Sequence, residues 1–461
     1  MNWRVERDSM GDVRVPKAAY WGASTQRAIA NFPVSGTRMP RRFIQALGIV
    51  KRNCAFANED LGILSTGQAE WIAAAAQEVM DGKFDEQFPV DVFQTGSATS
   101  TNMNANEVIA NRAIEMMGGV IGSKTPVHPN DDVNMSQSSN DVIPTVMHVA
   151  AALAITEVLE PALRLLSVEL HKKEAAFDGV LKSGRTHLVD ATPIRLGQEF
   201  GAFAAQVDRA VLNAAAAKEA VLDLALGGTA TGTGINCPPG FAGNAIARIA
   251  AATHVPFRET RNHFAAQSTI DGAVQASGHL KSIALTLYKI ANDIRWMGSG
   301  PTAGIGEIKL PALQPGSSIM PGKVNPVLCE MVMMVACDVV GNDAAITMGA
   351  TTGVFQLNTA FPLVADRLLR SIEILANAAR TFAEGCVRGI TANADHAAAT
   401  LAHNAALATA LAPEIGYDKA AEIAKEAAAT GETIHAVALR ISGVPESRLT
   451  TLLDPRRMTG A

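Results

Sequence analysis

The segment LKSIALTLYKIANDI, residues 280–294, decides the fold class. Leu280, Ile283, Ala284, Leu287, Ile290, Ala291 and Ile294 recur at steps of three and four, the spacing that lines one face of an α-helix. The periodic run covers roughly 27 residues, or ~40 Å of helix, and helices of that length pack side by side. Further runs flank it. Val149, Leu153, Leu159, Leu163 and Leu166 fall on one side of a helix that is interrupted or kinked near Pro161. A second run extends from about Leu196 to Leu226, a fourth begins at Pro326, and a fifth includes Ala365 to Glu384. The reading is a mostly α fold with a central bundle of about five long helices. Alanine and methionine on more than one helix face predict that these helices also bury surface against other subunits.

Composition agrees. Hydrophobic residues make up 48% of the chain and aromatics only 5%, an imbalance towards small and aliphatic side chains that favours packed helices over sheet sandwiches. A chain of 461 residues exceeds what one hydrophobic core organises. Turn-rich segments at each end predict an N-terminal domain over 1–136, the long-helix domain over 137–393 and a small C-terminal helical domain over 394–461. Thirty-nine basic residues against forty-four acidic ones, a formal net charge of −5, leave no global footprint for nucleic acid. Five cysteines, Cys54, Cys237, Cys329, Cys337 and Cys386, form no CxxC pair or metal spacing, which fits a reducing cytoplasm. The charged start MNWRVERDSMGD reads as neither signal nor transit peptide. The uncharged stretches 224–247 and 344–365 are broken by Gly, Thr, Asn and Pro, so no membrane span is expected.

Three polar stretches carry the candidate chemistry. In GSSIMPGKVNP, residues 316–326, Asn325 and Pro326 read as the cap and first position of a helix whose N-terminus favours an anion, with Lys323 adding a full charge. Gly316 and Gly322 give the segment freedom to open and close. The bland alternative is a surface turn with an incidental lysine. In SGRTHLVDATPIRLGQEF, 183–200, Thr186 and His187 occupy a polar turn before a long helix, and Glu330 is the carboxylate expected to pair with His187. A lone histidine is more often structural. The stretches TGSATSTNMNANE, 95–107, and HPNDDVNMSQSSND, 128–141, bring Ser97, Thr99, Asn102, Ser138, Ser139 and Asn140, suited to holding a small polar ligand by neutral hydrogen bonds. Read alone, these are helix caps and turn formers. His128, Asp131 and Asp132 sit in a Pro-Asn turn without a further spaced ligand, so no metal is assigned. GGTATGTG and GSGPTAGIG follow no evident strand of a βαβ unit, and no nucleotide cofactor is assigned.

Together these stretches resemble the fumarase and aspartase superfamily, whose signature loop GSSxMPxKxNP stands complete at 316–326. The likeness extends through MGDVRVPKAAYWGASTQRA and NFPVSG near the start to IGYDKAAEIAKEA and DPRRMTG near the end. It implies a three-domain α-helical subunit, a homotetramer held by the central bundle, active sites assembled from three subunits, and no metal or other cofactor. Within the superfamily, GRTH at 184–187 and Gly322 in MPGK are similar to class II fumarate hydratases, where aspartate ammonia-lyases usually carry Gln after Thr and often Ala before Lys. The implied activity is reversible hydration of fumarate to (S)-malate. The implied roles are Ser317 as the base at C3 of malate, with Lys323 and Asn325 on a substrate carboxylate. Ser97, Thr99, Ser138, Ser139, Asn140 and Thr186 would donate or accept further hydrogen bonds, and His187, paired with Glu330, would orient or protonate the departing water. His128, Asn130 and Asp131 match part of a second dicarboxylate site. Three positions depart from the pattern: Ala98 replaces a glycine, Ala265 a glutamate, and Thr125 a basic residue of the second site, which puts that site in question. The alternatives are an aspartate ammonia-lyase or related C–N lyase, and a helical scaffold without catalysis.

Overall fold

The computed structural model describes residues 3–460. Seventeen α-helices dominate it, and the strands among the described residues form five two-stranded sheets, so the fold is mostly α. The periodic run of 280–294 lies inside one helix, Asp271–Met297, of 27 residues. All seven stripe residues are at most 2% exposed. The other long helices are Leu196–Glu219, Val327–Ala350 and Phe361–Gly385, together with Ser139–Ala154 continued by Glu160–Phe177. The interruption in the last pair is a π turn over Ile155–Leu159, just before Pro161, whose ring and missing N–H disrupt regular helix spacing.

Two boundaries differ from expectation. The second helix stops at Glu219, and beyond it Asp223–Leu224 is extended and pairs in parallel with Arg258–Glu259. The helix after the 316–326 loop begins at Val327, and the Pro326 carbonyl accepts its first intrahelical bond, from Glu330 N. Three hairpins escaped the sequence reading: Trp3–Asp8 with Gly11–Pro16, Leu181–Thr186 with Val189–Arg195, and the short Gly353–Val354 with Leu357–Asn358.

The chain divides into two compact units, one of Met1–Glu160, Leu212–Ser282 and Cys337–Ala376, the other of Pro161–Val211, Ile283–Ala336 and Asn377–Ala461. In the first, Phe43, Leu47, Ile72, Ile109 and Ile114 are fully buried. Its Ala23–Asn31 helix has no side-chain cap of its own at Gly22. Glu107 from the Thr99–Met116 helix serves instead, accepting from the N–H groups of Gly22 (2.8 Å), Ser24 (2.9 Å) and Thr25 (3.2 Å) and from Thr25 Oγ1 (2.6 Å). In the second unit, the C-terminal helices close around Leu401, Leu407, Leu411, Ile423, Ile434, Val437 and Leu449.

Two helical runs, Ser139–Phe177 and Val327–Ala350, are long and apolar enough to cross a membrane by length and composition, but 78% of the first run's apolar window is buried inside the protein. The same window on Val327–Ala350 is only 28% buried, with Met334 and Met348 about two-thirds exposed (67% and 66%).

Glu107→Gln replaces one acceptor oxygen by an NH2 group that faces N–H donors. Stability should fall by about 2–3 kcal/mol, read as a thermal midpoint lowered by several degrees, and an unchanged midpoint would remove the cap from this account.

Candidate active site

The 316–326 segment folds onto itself. Gly316 N donates to Lys323 O (2.7 Å), Asn325 Nδ2 donates to Gly316 O (2.8 Å), and Lys323 Nζ donates to Asn325 Oδ1 (2.6 Å). Ser317 Oγ accepts from the backbone N–H groups of Ile319 (3.2 Å) and Met320 (3.0 Å). Ser317, Lys323 and Asn325 therefore belong to one clasp. The expected cap at Asn325 is absent, because its amide closes the loop. Gly316 is required for close approach rather than for freedom, since a Cβ there would lie 2.6 Å from Lys323 O and 2.8 Å from Asn325 N. Gly322 has φ +82 with open space around it, a turn position. Lys323 and Glu330 are exposed and Ser317 partly so. The outer face of the clasp borders a cavity of about 630 Å³, lined by Lys323, Asn325, Gly300, Pro301 and Asn393 among others.

His187 is placed by the second hairpin. Thr186 pairs with Val189, and the two intervening residues, His187 (φ +57) and Leu188 (φ +60), both adopt left-handed conformations, as a tight two-residue hairpin turn demands. The imidazole is exposed at the tip and borders a cavity of about 610 Å³ with Arg185, Glu199, Asp293 and Trp296. The hairpin is anchored from below by buried charge. Lys182, 1% exposed, contacts Glu199 (2.5 Å) and Glu307 (2.9 Å), and Arg185 grips Glu307 with two bonds of 3.0 and 2.5 Å. Among the described residues, His187 and Glu330 share no hydrogen bond or ion pair, and neither lining of these two cavities holds both.

The remaining candidates lie in the first unit. Ser97 and Thr99 hydroxyls are 2.8 Å apart at the start of the Thr99–Met116 helix, and Ala98 between them is fully buried with φ +53, a conformation that favours glycine. Ser138 caps the Ser139–Ala154 helix in a capping box with Asp141. Burial raises the Asp141 carboxyl pKa, although it accepts from the N–H groups of Ser138 (2.9 Å), Gly227 (2.9 Å) and Thr229 (3.0 Å). The GGTATGTG stretch thus braces this helix start. Asn140 Nδ2 donates to Ala230 O (2.8 Å), and Asn102 Nδ2 donates to Ser139 Oγ (3.0 Å).

His128 Nδ1 accepts from Asn130 N (3.2 Å) and Asp131 N (3.1 Å), so this turn satisfies itself, and exposed Thr125 contributes only to a local turn with Ser123. A separate cavity of about 490 Å³, lined by His148, Glu219, Asp223 and Arg258, contains none of the expected site residues.

Sequence reasoning missed Lys51. It is fully buried and donates to Asn134 Oδ1 and Gln137 Oε1, both at 3.0 Å, beneath the Ser138–Asn140 segment. Burial lowers its pKa to about 8, which leaves it protonated at neutral pH. Its only signal is a lysine interrupting the apolar run LGIVKRNCAFA, 47–57.

Within the first unit, hydroxyls and amides gather at two helix starts, and within the second a loop lysine stands beside a serine oxygen that accepts from two N–H donors. Comparison with known proteins agrees in kind. A family model described as "Lyase" matches residues 11–341, and one described as "Fumarase C C-terminus" matches 407–460. The chain therefore belongs to this lyase family. It is 52% identical to a class II fumarate hydratase of Halobacterium salinarum, over 99% of this chain and 97% of that one. It is also 51% identical to one from Pseudomonas aeruginosa, over 99% of both. The crystal structure of a class II fumarase from Schistosoma mansoni superposes with a TM-score of 0.96 at 36% identity, over 99% of both chains. Within the family, the chain groups with the class II fumarate hydratases.

Gly316→Ala should pry the clasp open while leaving the helical core folded. Tryptic cleavage after Lys323 should accelerate with unchanged far-ultraviolet circular dichroism, whereas Gly322→Ala, where only backbone strain is added, should change cleavage less.

Proposed function

We propose that the chain catalyses reversible hydration of fumarate to (S)-malate, with Ser317 as the base. The observation that carries this reading is the pair of backbone N–H groups, of Ile319 and Met320, aimed at Ser317 Oγ. A serine hydroxyl is too weak an acid to act as a base unaided, and its alkoxide needs donors held in place and water excluded. In the malate-to-fumarate direction, the alkoxide takes the C3 proton and the electron pair moves into the neighbouring carboxylate as an aci-carboxylate. The C2–O bond then breaks, and the oxygen leaves as water with a proton delivered by His187. Lys323 and Asn325 hold the carboxylate on which charge builds, where preorganised donors contribute most to the rate. Ser97, Thr99, Ser138, Ser139, Asn140 and Thr186 bind the rest of the dicarboxylate.

We read the working enzyme as a cytoplasmic homotetramer in which three subunits share each site. The exposed apolar face of Val327–Ala350 supports association, and the absence of a His187–Glu330 contact within one chain supports pairing between copies. The division into domains 1–136, 137–393 and 394–461 belongs to the same reading. It is favoured by the self-contained core of the last segment. The second dicarboxylate site at His128, Asn130 and Asp131 lacks a cation at Thr125, so it is assigned no role in turnover.

Purified protein mixed with fumarate should show falling absorbance in the fumarate band, and aspartate should release no ammonia; the opposite pair of results would install a C–N lyase instead. Ser317→Ala should lower kcat by ~10³-fold, and parental activity in that variant would remove Ser317 as the base. Sedimentation should give four times the 48.3 kDa chain mass.

A further inference from the structure

A fully buried lysine is costly unless its charge is used, and Lys51 forms no ion pair within hydrogen-bonding reach among the described residues. Both its contacts are amide oxygens. Asn134 Oδ1, which receives one Lys51 proton, also accepts from Asn102 Nδ2 (3.1 Å) and Asn106 Nδ2 (3.3 Å). Asn102 spends its other Nδ2 proton on Ser139 Oγ, and its own Oδ1 is left buried without a partner. Asn106 Oδ1 is likewise unpartnered.

Leaving two amide oxygens orphaned is unfavourable, and rotating either side-chain amide by half a turn would move the oxygen inward. The rotation is blocked because it would set oxygen against Asn134 Oδ1. Asn134 is in turn fixed from both ends, its oxygen towards Lys51, since an ammonium has three donors and no acceptor, and its Nδ2 towards Gln137 O (3.1 Å). Gln137 is held the same way, turning its Nε2 towards Met135 O (2.9 Å) and Val133 O (3.2 Å). Asn102, Asn106 and Ser139 each have two usable ends, so the polarity of the network is imposed from its inner end, by the donor-only Lys51 and the acceptor-only carbonyls of Val133, Met135 and Gln137.

We infer that Lys51 is a positioning residue that, together with the Gln137 carbonyl, fixes the direction of the hydrogen-bond chain Lys51, Asn134, Asn102, Ser139, so that the Ser139 hydroxyl accepts a hydrogen bond from inside and points its own proton at a substrate carboxylate. The Ser139 O–H has no acceptor among the described residues, which leaves it free for that purpose. The inference rests on the reading of Ser139 as a substrate-binding residue. The resulting interaction is the same with ground state and transition state, so its loss changes KM rather than kcat.

The test is steady-state kinetics with fumarate and malate on the full-length parent and on Lys51→Met, Ser139→Ala and the double variant. Lys51→Met should raise KM by ~10-fold, with kcat within ~3-fold, as expected for one lost substrate hydrogen bond. Ser139→Ala should do the same, and the double variant should be no worse than either single one. If Lys51→Met does not fold, Asn102→Asp reads the chain from its other end, because a carboxylate there takes the Ser139 proton, and KM should again rise ~10-fold. A folded Lys51→Met with parental KM, or a double variant whose KM effects multiply, overturns this inference alone. A parent inactive on fumarate overturns the underlying reading and this inference with it.

Discussion

A 27-residue helix with an unbroken apolar stripe cannot remain alone in water, and burial of that stripe on Asp271–Met297 is the constraint on which the rest of the structure depends. Each fully buried Leu or Ile contributes about 1.5–3 kcal/mol relative to exposure, so Leu280, Ile283, Leu287, Ile290 and Ile294 on this helix, and Leu368, Leu369, Ile372 and Leu375 on Phe361–Gly385, dominate the local energetics. Helices satisfied in this way are stiff rods. Their middles are committed to packing, which leaves chemistry to their ends. Thr99 and Ser139 stand in the first turns of their helices, the clasp leads directly into Val327–Ala350, and the His187 hairpin leads into Leu196–Glu219. Helix starts present free N–H groups and a partial positive charge, which is what a small dicarboxylate requires.

Buried charge does the complementary work of fixing those ends in place. Glu107 holds one helix start through four donors, Asp141 holds another through three backbone N–H groups, and Glu307 ties Lys182 and Arg185 beneath the hairpin. Such groups add little net stability over an apolar core, but each permits only one arrangement of its partners. Lys51 differs in having no carboxylate within hydrogen-bonding reach. At hydrogen-bond range its charge is met by oriented amide dipoles, with the buried Asp141 carboxyl acting on it from further off, and the chain of amides ends at Ser139.

The long helices were legible because helical period is a local property, and the stripe of 280–294 reads the same in the chain and in the fold. The false extension of the second helix to Leu226 has a physical origin: the chain stays apolar and buried past Glu219, so nothing local marks the change to a strand, and the partner that makes it one, Arg258–Glu259, is 35 residues further on. The His187 hairpin left only a weak signal in the sequence, the β-branched pair Thr192 and Ile194 two residues apart, with Pro193 between them arguing against a strand. Motif residues were legible one by one. Their hydrogen-bond partners were not, since Asn325 reads equally as a cap or as a clasp, and nothing in LGIVKRNCAFA tells a lysine that snorkels from one that stays inside.

The clasp also changes how movement of this loop should be understood. Glycines at 316 and 322 read as hinges, but Gly316 is pinned between Lys323 O and Asn325 N, and the two ends of the segment are bonded through Gly316 and Asn325. A loop closed on itself in this way is braced internally, while the flanking residues Leu313, Gln314 and Pro315 before it are exposed. The clasp already holds the Ile319 and Met320 N–H groups on Ser317 Oγ, so the donors that the proposed alkoxide would need are in place before substrate arrives. Preorganisation of this kind removes a reorganisation cost from the chemical step and confines it to binding.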